Sequence, residues 1–266
     1  MRPAVIAMFA LAFVCGAAAG SFVNVCAYRI PRGQSVVWPR SACPKCGAKL
    51  KAIELIPIIS WFFLLGKCSS CRARISPRYP LTEFLNGAIW AALFWRIPFS
   101  FELVSYAALC SVLLAVFFID LDYMRIPNAL VLCAMVPALA LSVRYAFFLS
   151  GPGRFRSVYN SVDAAAPLLG LAPSAFFLAV YMVTSAFSRG KNAIGMGDIK
   201  LLIPAGFALG LRQCAFAAFI GILLGGAVGA VLLITGIKKR KDPIPFGPFL
   251  VTGVIAAIFI PASIFL

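Results

Sequence analysis

The sequence of 266 residues contains no histidine, and this absence excludes several classes of site. Hydrolases that activate a serine or cysteine with an imidazole need a histidine, and so do zinc proteases built on an HExxH helix. Metal centres with imidazole ligands are excluded for the same reason. Any acid–base chemistry must therefore be sought among few other side chains.

Charged residues are also scarce, at 12% of the chain, whereas hydrophobic residues make up 62% and the mean hydropathy is +0.98. Soluble globular chains do not reach such values, so the composition indicates an integral membrane protein. Helices need about 20 apolar residues to cross the hydrocarbon core. Candidate runs lie at 4–26, 82–99, 101–121, 126–149, 164–187, 196–211, 213–237 and 247–266.

The apolar runs are continuous rather than alternating, which favours helices over a membrane β-barrel. No convincing signal-peptide cleavage site follows the first run, so we expect it to be retained as a helix. The fold class predicted from these runs is an all-α polytopic membrane protein with about eight transmembrane helices. A small cytoplasmic domain is expected between helices 1 and 2.

The distribution of the 24 basic residues orients the predicted helices, because short cytoplasmic loops collect lysine and arginine. The segment Arg29–Arg78 holds ten of them, so we place it in the cytoplasm. Eight alternating spans then put 18 basic residues inside and the N-terminus outside. This topology, together with contact with anionic membrane lipid, accounts for the net charge of +16 without nucleic-acid binding.

The segment at 27–80 is too long, basic and rich in proline and cysteine to be a simple connector. We therefore divide the chain into a first transmembrane helix at 1–26, a cytoplasmic domain at 27–80 and a seven-helix membrane domain at 81–266. Between the cysteines of the domain lies "LIPIISWFFLLG", residues 55–66, which is too short to span a bilayer. We expect it to be an interfacial or re-entrant segment that holds the domain against the membrane.

Two CxxC motifs, "CPKC" and "CSSC", lie 21 residues apart in this cytoplasmic domain. Paired motifs of this kind hold structural zinc through four thiolates, and a domain with few apolar residues needs such a centre to keep its shape. Two disulfides are the alternative, which a reducing compartment disfavours. The predicted zinc ligands are Cys43, Cys46, Cys68 and Cys71.

Only eight acidic residues are available for chemistry: Glu54, Glu83, Glu102, Asp120, Asp122, Asp163, Asp198 and Asp242. In the predicted topology, Asp120 ends the third helix and Asp198 begins the sixth at the same cytoplasmic face. Pro127 breaks the helix after Asp120, and two glycines beside Asp198 allow close approach. Two close carboxylates can share a proton, one as base on a water and one as acid on a carbonyl, which is aspartic-protease chemistry. Helix capping is the alternative explanation for Asp198.

Six ordered motifs give the chain a resemblance to the type IV prepilin peptidases, also called leader peptidases and N-methyltransferases. They are "GSFVNVCAYRIPRG" at 20–33, "CPKCG", "PIISWFFLLGKCSSCRARISPRYPLTE" at 57–83, "DLDYMRIPN" at 120–128, "GMGDIKLL" at 195–202 and "PIPFGPFL" at 243–250. The resemblance implies an inner-membrane aspartic endopeptidase. It would cut after the glycine that closes the basic leader of prepilins or type II secretion pseudopilins, on the cytoplasmic side.

In that family the catalytic pair is the first aspartate of a Dx(5-6)IP motif and the aspartate of GxGD. These positions correspond here to Asp120 and Asp198. Asp122 is two residues further along, about 200° around a helix from Asp120, so both cannot face one partner. Many family members carry an aspartate after "IP", whereas this chain has Asn128.

Longer members of the family also methylate the new N-terminal amine with S-adenosylmethionine. The resemblance links this activity to the cytoplasmic domain and to Gly66 and Lys67, just before the third cysteine. No methyltransferase fingerprint known from soluble proteins occurs, and Lys67 is equally explained as one more cytoplasmic lysine. A proton-coupled transporter using the same carboxylates is the alternative function. Such proteins usually carry these groups near the midplane and often show repeats, and we find no repeat here.

Overall fold

The computed structural model describes residues 3–148, 166–187, 195–239 and 242–260. Its regular structure is helical, as predicted, and within these ranges the only β-type pairings are two isolated bridges. Two 3₁₀ turns, Ile30–Arg32 and Ala52–Leu55, accompany the α-helices. The α-helices are α1 (Pro3–Arg29), α2 (Ile59–Phe63), α3 (Arg78–Arg96), α4 (Phe101–Tyr123), α5 (Asn128–Phe148), α6 (Ala166–Leu169), α7 (Ala172–Phe187), α8 (Met196–Ile234) and α9 (Gly247–Phe259).

Each predicted apolar run coincides with helical structure, although the ends differ. Helix α1 extends to Arg29 and α3 already begins at Arg78, so the segment between them is 30–77 rather than 27–80. Parts of the runs predicted at 126–149, 164–187 and 247–266 lie outside the described residues, as does Asp163. Among the described residues, three helical stretches are long and apolar enough to cross a membrane: Val5–Arg32, Phe101–Tyr123 and Met196–Ile234. Apolar stretches of α5, α7 and α9 are shorter.

Helix α8 is two helical segments that meet at a sharp break. Gly210 has φ 75° and ψ 178°, a conformation open essentially to glycine alone. The Cys214 sulfur lies 3.9 Å from the carbonyl oxygen of Leu202, although 12 residues separate them. In a continuous helix that separation would be about 18 Å along the axis, so the chain folds back at Gly210. The two segments, 196–209 and 211–234, correspond to the separate apolar runs predicted at 196–211 and 213–237.

The chain forms two compact units, Met1–Ala115 and Val116–Leu266. In the first unit, α1 and α3 approach so closely that a side chain at Gly16 would lie 2.7 Å from the Cβ of Trp90. The buried Asn86 amide donates a hydrogen bond of 2.7 Å to the Gly16 carbonyl and accepts one from Ser111. Small residues and buried polar side chains of this kind hold apolar helices together where the hydrophobic effect contributes little.

In the second unit, glycine also sets the distance between α8 and α9. A Cβ at Gly253 would collide with the backbone carbonyl of Ala217, and one at Gly221 would meet the backbone of Leu250 at 3.1 Å. Ser142 of α5 donates a hydrogen bond of 2.7 Å to the Phe207 carbonyl of α8. At these positions α8 and α9 therefore meet along backbone surfaces.

These contacts predict that Gly253→Ala destabilises the protein by about 1–3 kcal/mol, because backbone has to move to admit the methyl group. Gly226→Ala is the matched control, since no atom lies within 4 Å of the Cβ it would add. The midpoint of thermal unfolding in detergent, followed by the loss of helical circular dichroism, should fall for the first variant and stay level or rise for the second. Equal midpoints for the two variants would contradict the close packing of α8 and α9.

Candidate active site

Asp120 lies in the last turn of α4, and the chain breaks directly after it. Helix α4 ends at Tyr123, and Met124 adopts a left-handed conformation with φ 51° while its N–H donates to the Asp120 carbonyl at 2.8 Å. Helical structure resumes only at Asn128. The break before Pro127 is therefore present as predicted. It leaves Asp120 at a helix end rather than in mid-helix.

The two aspartates of α4 have different surroundings. The side chain of Asp120 is buried, with 6% of its surface exposed, whereas Asp122 is exposed. Residues two apart on a helix point in nearly opposite directions, which accounts for the difference. Of the two carboxylates, only that of Asp120 is directed into the protein.

A backbone amide from α9 meets the buried carboxylate. The N–H of Gly247, the first residue of α9, donates a hydrogen bond of 2.9 Å to Asp120 Oδ2. A Cβ at position 247 would lie 2.7 Å from that same oxygen, so only glycine leaves room for the contact. The amide and the N-terminal end of α9 supply a donor and a positive partial charge to Asp120.

Asp198 is the third residue of α8, and two glycines determine how closely other groups approach it. A Cβ at Gly195 would lie 2.8 Å from Asp198 Oδ2, and the Gly195 backbone also forms a hydrogen bond to this carboxylate. A Cβ at Gly197 would meet the Cβ of Ile126 at 3.1 Å. Gly197 thus lets the start of α8 contact the break that follows α4.

Although 77 residues separate Asp120 and Asp198 in the sequence, their carboxylates lie near enough in the structure to repel each other electrostatically. The capping explanation for Asp198 also holds in part, since Gly195 is the residue that precedes α8 and is hydrogen-bonded to its side chain. Beside the pair, Lys200 Nζ donates to Asn128 Oδ1 at 3.1 Å and links α8 to α5. Asn128 therefore has a structural partner.

Each carboxylate of the pair rests against a glycine and receives a hydrogen bond from that glycine's backbone. The sequence predicts close approach at Gly195 and Gly197 but indicates no role for Gly247. The only available signal was its place in "PIPFGPFL", where a glycine precedes a proline at the start of an apolar run. Such a signal does not reveal a contact with a residue 127 positions earlier in the chain.

The four cysteines of the two CxxC motifs form a cluster in the first unit, with all their sulfurs within 4.8 Å of one another. All nine cysteines of the chain are free thiols, so no disulfide competes with this cluster. Tetrahedral zinc with Zn–S bonds of about 2.3 Å requires sulfurs about 3.8 Å apart. The sulfurs of Cys43 and Cys71 are 3.9 Å apart, and the donor set therefore fits one metal ion.

Two backbone turns of the same shape carry these cysteines. In each turn, the N–H of the first cysteine donates to the alanine carbonyl five residues later, at 2.9 Å and 2.8 Å. The residue after the second cysteine is left-handed in both turns, as Gly47 with φ 71° and Arg72 with φ 58°. Hydrogen bonds from the backbone of Cys46 and Lys45 lower the pKa of the Cys43 thiol to about 6, which favours the thiolate.

Gly66 and Lys67 lie immediately before the second turn. Gly66 is left-handed with φ 65°, and a Cβ there would lie 2.8 Å from the indole ring of Trp61. The indole N–H donates to the Ile75 carbonyl at 3.2 Å, which fixes the ring over the glycine. Position 66 therefore has a packing requirement for glycine, whereas the side chain of Lys67 is exposed.

Comparison with known proteins assigns these features to a family. Residues 14–97 match the bacterial peptidase A24 N-terminal domain, and residues 107–230 match the type IV leader peptidase family. A Bacillus subtilis (strain 168) protein named prepilin leader peptidase/N-methyltransferase is 37% identical over 257 residues, which cover 97% of this chain and 96% of that protein.

Proteins of the same name in two other bacteria are also similar. The one in Burkholderia pseudomallei (strain K96243) is 31% identical, over 97% of this chain and 87% of its own. The one in Myxococcus xanthus (strain DK1622) is 36% identical, over 84% of this chain and 62% of its own. No solved structure matches the chain. Similarity over almost the whole length shows that the chain belongs to the type IV leader peptidase family.

Proposed function

We propose that this chain is a membrane-embedded aspartic endopeptidase that removes the basic leader of type IV prepilins or type II secretion pseudopilins after a glycine. The observation that carries the proposal is the pairing of two carboxylates from distant helices, each held against a glycine backbone. The names of the similar proteins support the leader-peptidase activity. Carboxylate pairs perform peptide hydrolysis by dividing the acid and base roles between them.

We assign the base role to Asp120, whose carboxylate accepts the Gly247 N–H at the start of α9, and the acid role to Asp198. Asp120 takes a proton from a water, whose oxygen attacks the scissile carbonyl carbon. Asp198 gives its proton to the carbonyl oxygen as charge develops there. When the C–N bond breaks, the leaving amine receives the proton held by Asp120, and a hydroxyl of the tetrahedral intermediate returns a proton to Asp198. The products are the leader's C-terminal carboxylic acid, which ionises in water, and a free N-terminal amine.

The proposed architecture is a multi-pass protein of the bacterial cytoplasmic membrane. The eight spans are α1, α3, α4, α5, α7, the two segments of α8, and α9, oriented by the basic residues. In this topology the C-terminal end of α4 and the N-terminal end of α8 lie at the cytoplasmic face. A prepilin would present its leader there, while its hydrophobic helix remains in the bilayer and anionic membrane lipid holds the leader's positive charges.

A second activity, methylation of the new N-terminal amine with S-adenosylmethionine, is proposed from the family resemblance and from the names of the similar proteins. Gly66 and Lys67 are the proposed residues for this step. The left-handed Gly66 under the Trp61 ring would shape the backbone, and the exposed Lys67 is available to an anionic group of the cofactor. S-adenosylmethionine would supply the methyl group, and this chain would orient the acceptor amine.

Zinc is the metal we propose for the four cysteines, in a structural role. Four thiolates in tetrahedral arrangement suit zinc, and they leave no open position for a water or substrate. The segment 30–77 has few buried apolar residues, so the ion would contribute much of its folding free energy.

The dyad predicts that Asp120→Ala or Asp198→Ala lowers the rate of leader cleavage by on the order of 10²–10⁴-fold or more, because each removes one acid–base partner. Asp122→Ala is the control, since that side chain is exposed on the other side of α4. Cleavage of a prepilin by each purified, reconstituted variant measures the effect. A near-normal rate for Asp198→Ala would overturn the dyad.

Gly247→Ala should also lower the cleavage rate, by about a hundredfold, because the added methyl group would displace the Asp120 carboxylate. Gly229→Ala provides a comparison, since its Cβ would meet only a flexible isoleucine end at 3.7 Å. The turnover number should fall in the first variant while the Michaelis constant changes little. Unchanged turnover in Gly247→Ala would show that the α9 contact does not position Asp120.

The metal proposal predicts one zinc per purified chain by elemental mass spectrometry, because the four sulfurs form a single centre. Cys46→Ser should lose most of this zinc. Cys133→Ser, a change at an exposed cysteine of α5, should retain it. Zinc-free wild-type protein, or equal zinc in the two variants, would refute the assignment.

A further inference from the structure

The short helix α2 presents an apolar face to the outside of the first unit. Ile59, Phe62 and Phe63 follow the spacing of one helix face, and Leu65 comes directly after the helix. Phe63 and Leu65 are 84% and 80% exposed, and within the described part of the chain no group covers them. Large apolar side chains are seldom left grouped in water, so this face is expected to be covered.

The rest of α2 faces the opposite way and fixes the orientation of the helix. Trp61 turns inward over Gly66, and its indole N–H is bound by the Ile75 carbonyl. The α2 segment can therefore not rotate to bury the phenylalanines without breaking this contact. Its apolar face is a built feature of the domain.

A buried glutamate of α3 ties the start of α2 to that helix. Glu83 Oε2 accepts a hydrogen bond of 2.7 Å from the N–H of Ile58, the residue just before α2. Glu83 lies five residues into α3, or about 7.5 Å along its axis. If α3 is a membrane span, as proposed above, the start of α2 lies at the depth of the lipid headgroups, a layer about 5–8 Å thick on each side.

The backbone at Ile58 shows that this tether is specific. Ile58 has φ 62° and ψ −57°, and the N–H of Ile59 donates to the Pro57 carbonyl, which makes a tight γ-turn. This turn is rare and strained, above all for a β-branched residue, and persists only where the surroundings impose it. Glu83, which also hydrogen-bonds Ser21 of α1, supplies that constraint.

The charge of the segment 30–77 indicates which partner covers the apolar face of α2. Residues 30–77 contain eight basic residues and one acidic residue, Glu54. An apolar face within a strongly basic segment complements an anionic lipid surface, where the rings enter the interface and the net positive charge draws the segment toward the headgroups. Both ends of the segment join apolar helices, α1 and α3, which would keep it close to the bilayer.

We propose that α2 and Leu65 form an interfacial wedge, which inserts into the cytoplasmic leaflet so that anionic phospholipid covers its apolar face. Glu83 is the residue that positions this wedge. The proposal rests on the membrane topology given under Proposed function. It does not depend on the peptidase mechanism. The wedge would hold the four-cysteine domain at a fixed depth against the membrane.

Photo-crosslinking of the full chain in nanodiscs tests the wedge. The probe p-benzoylphenylalanine is placed at Phe63, with Lys45 as an exposed control in the same segment and Phe84 as a control for the burial of α3 in lipid. In discs containing phosphatidylglycerol, we expect several-fold more lipid adduct at 63 than at 45, and less at 63 in discs of phosphatidylcholine alone.

Equal lipid adducts at 63 and 45, equal yields at 63 in the two kinds of disc, or a protein adduct at 63 would overturn the wedge. A lipid adduct at position 84 without one at position 63 would contradict the wedge but leave the α3 span intact. If neither position formed a lipid adduct, the proposed α3 span would be contradicted as well. Glu83→Ala should reduce the adduct at 63, and Glu83→Gln, which keeps an acceptor for the Ile58 N–H, should retain it. If neither variant reduced the lipid adduct at position 63, the positioning role of Glu83 would be contradicted.

Discussion

The contact of each proposed catalytic carboxylate with a glycine backbone is the constraint on which the second unit depends. Asp120 meets Gly247 and Asp198 meets Gly195, and in both places a Cβ would approach the carboxylate to within 2.8 Å. Ionisable groups in apolar surroundings need hydrogen-bond partners, and backbone amides provide them without adding another charge.

That constraint explains irregular features elsewhere in the unit. The left-handed Met124 and the break before Pro127 end α4 just beyond Asp120. The fold-back at Gly210 lets α8 contact both its own second half and α9. Gly253 and Gly221 then bring α9 against α8, and Gly247 begins α9 at Asp120. The position of the Gly247 amide thus depends on the close contacts between α8 and α9 at Gly221 and Gly253.

The sequence predicted the helices well because membrane spans have a strong one-dimensional signal in length and apolarity. It also identified the break at Pro127, the two halves of α8 and the four cysteines, since proline, glycine and CxxC spacing act locally. The contact between Gly247 and Asp120, the Glu83 tether to Ile58 and the packing of Trp61 over Gly66 were not predictable in this way. Each joins residues through three-dimensional packing, and neither periodicity nor composition specifies which residues meet.

Binding of a non-cleavable substrate analogue tests most directly the claim that Asp120 and Asp198 act on one scissile carbonyl. A prepilin peptide in which a hydroxyethylene group replaces the peptide bond after the glycine offers one hydroxyl to both carboxylates. Its dissociation constant, measured on the reconstituted chain, should rise by a similar large factor in Asp120→Asn and in Asp198→Asn, and little in Asp122→Asn. Undiminished affinity in either of the first two variants would contradict the account.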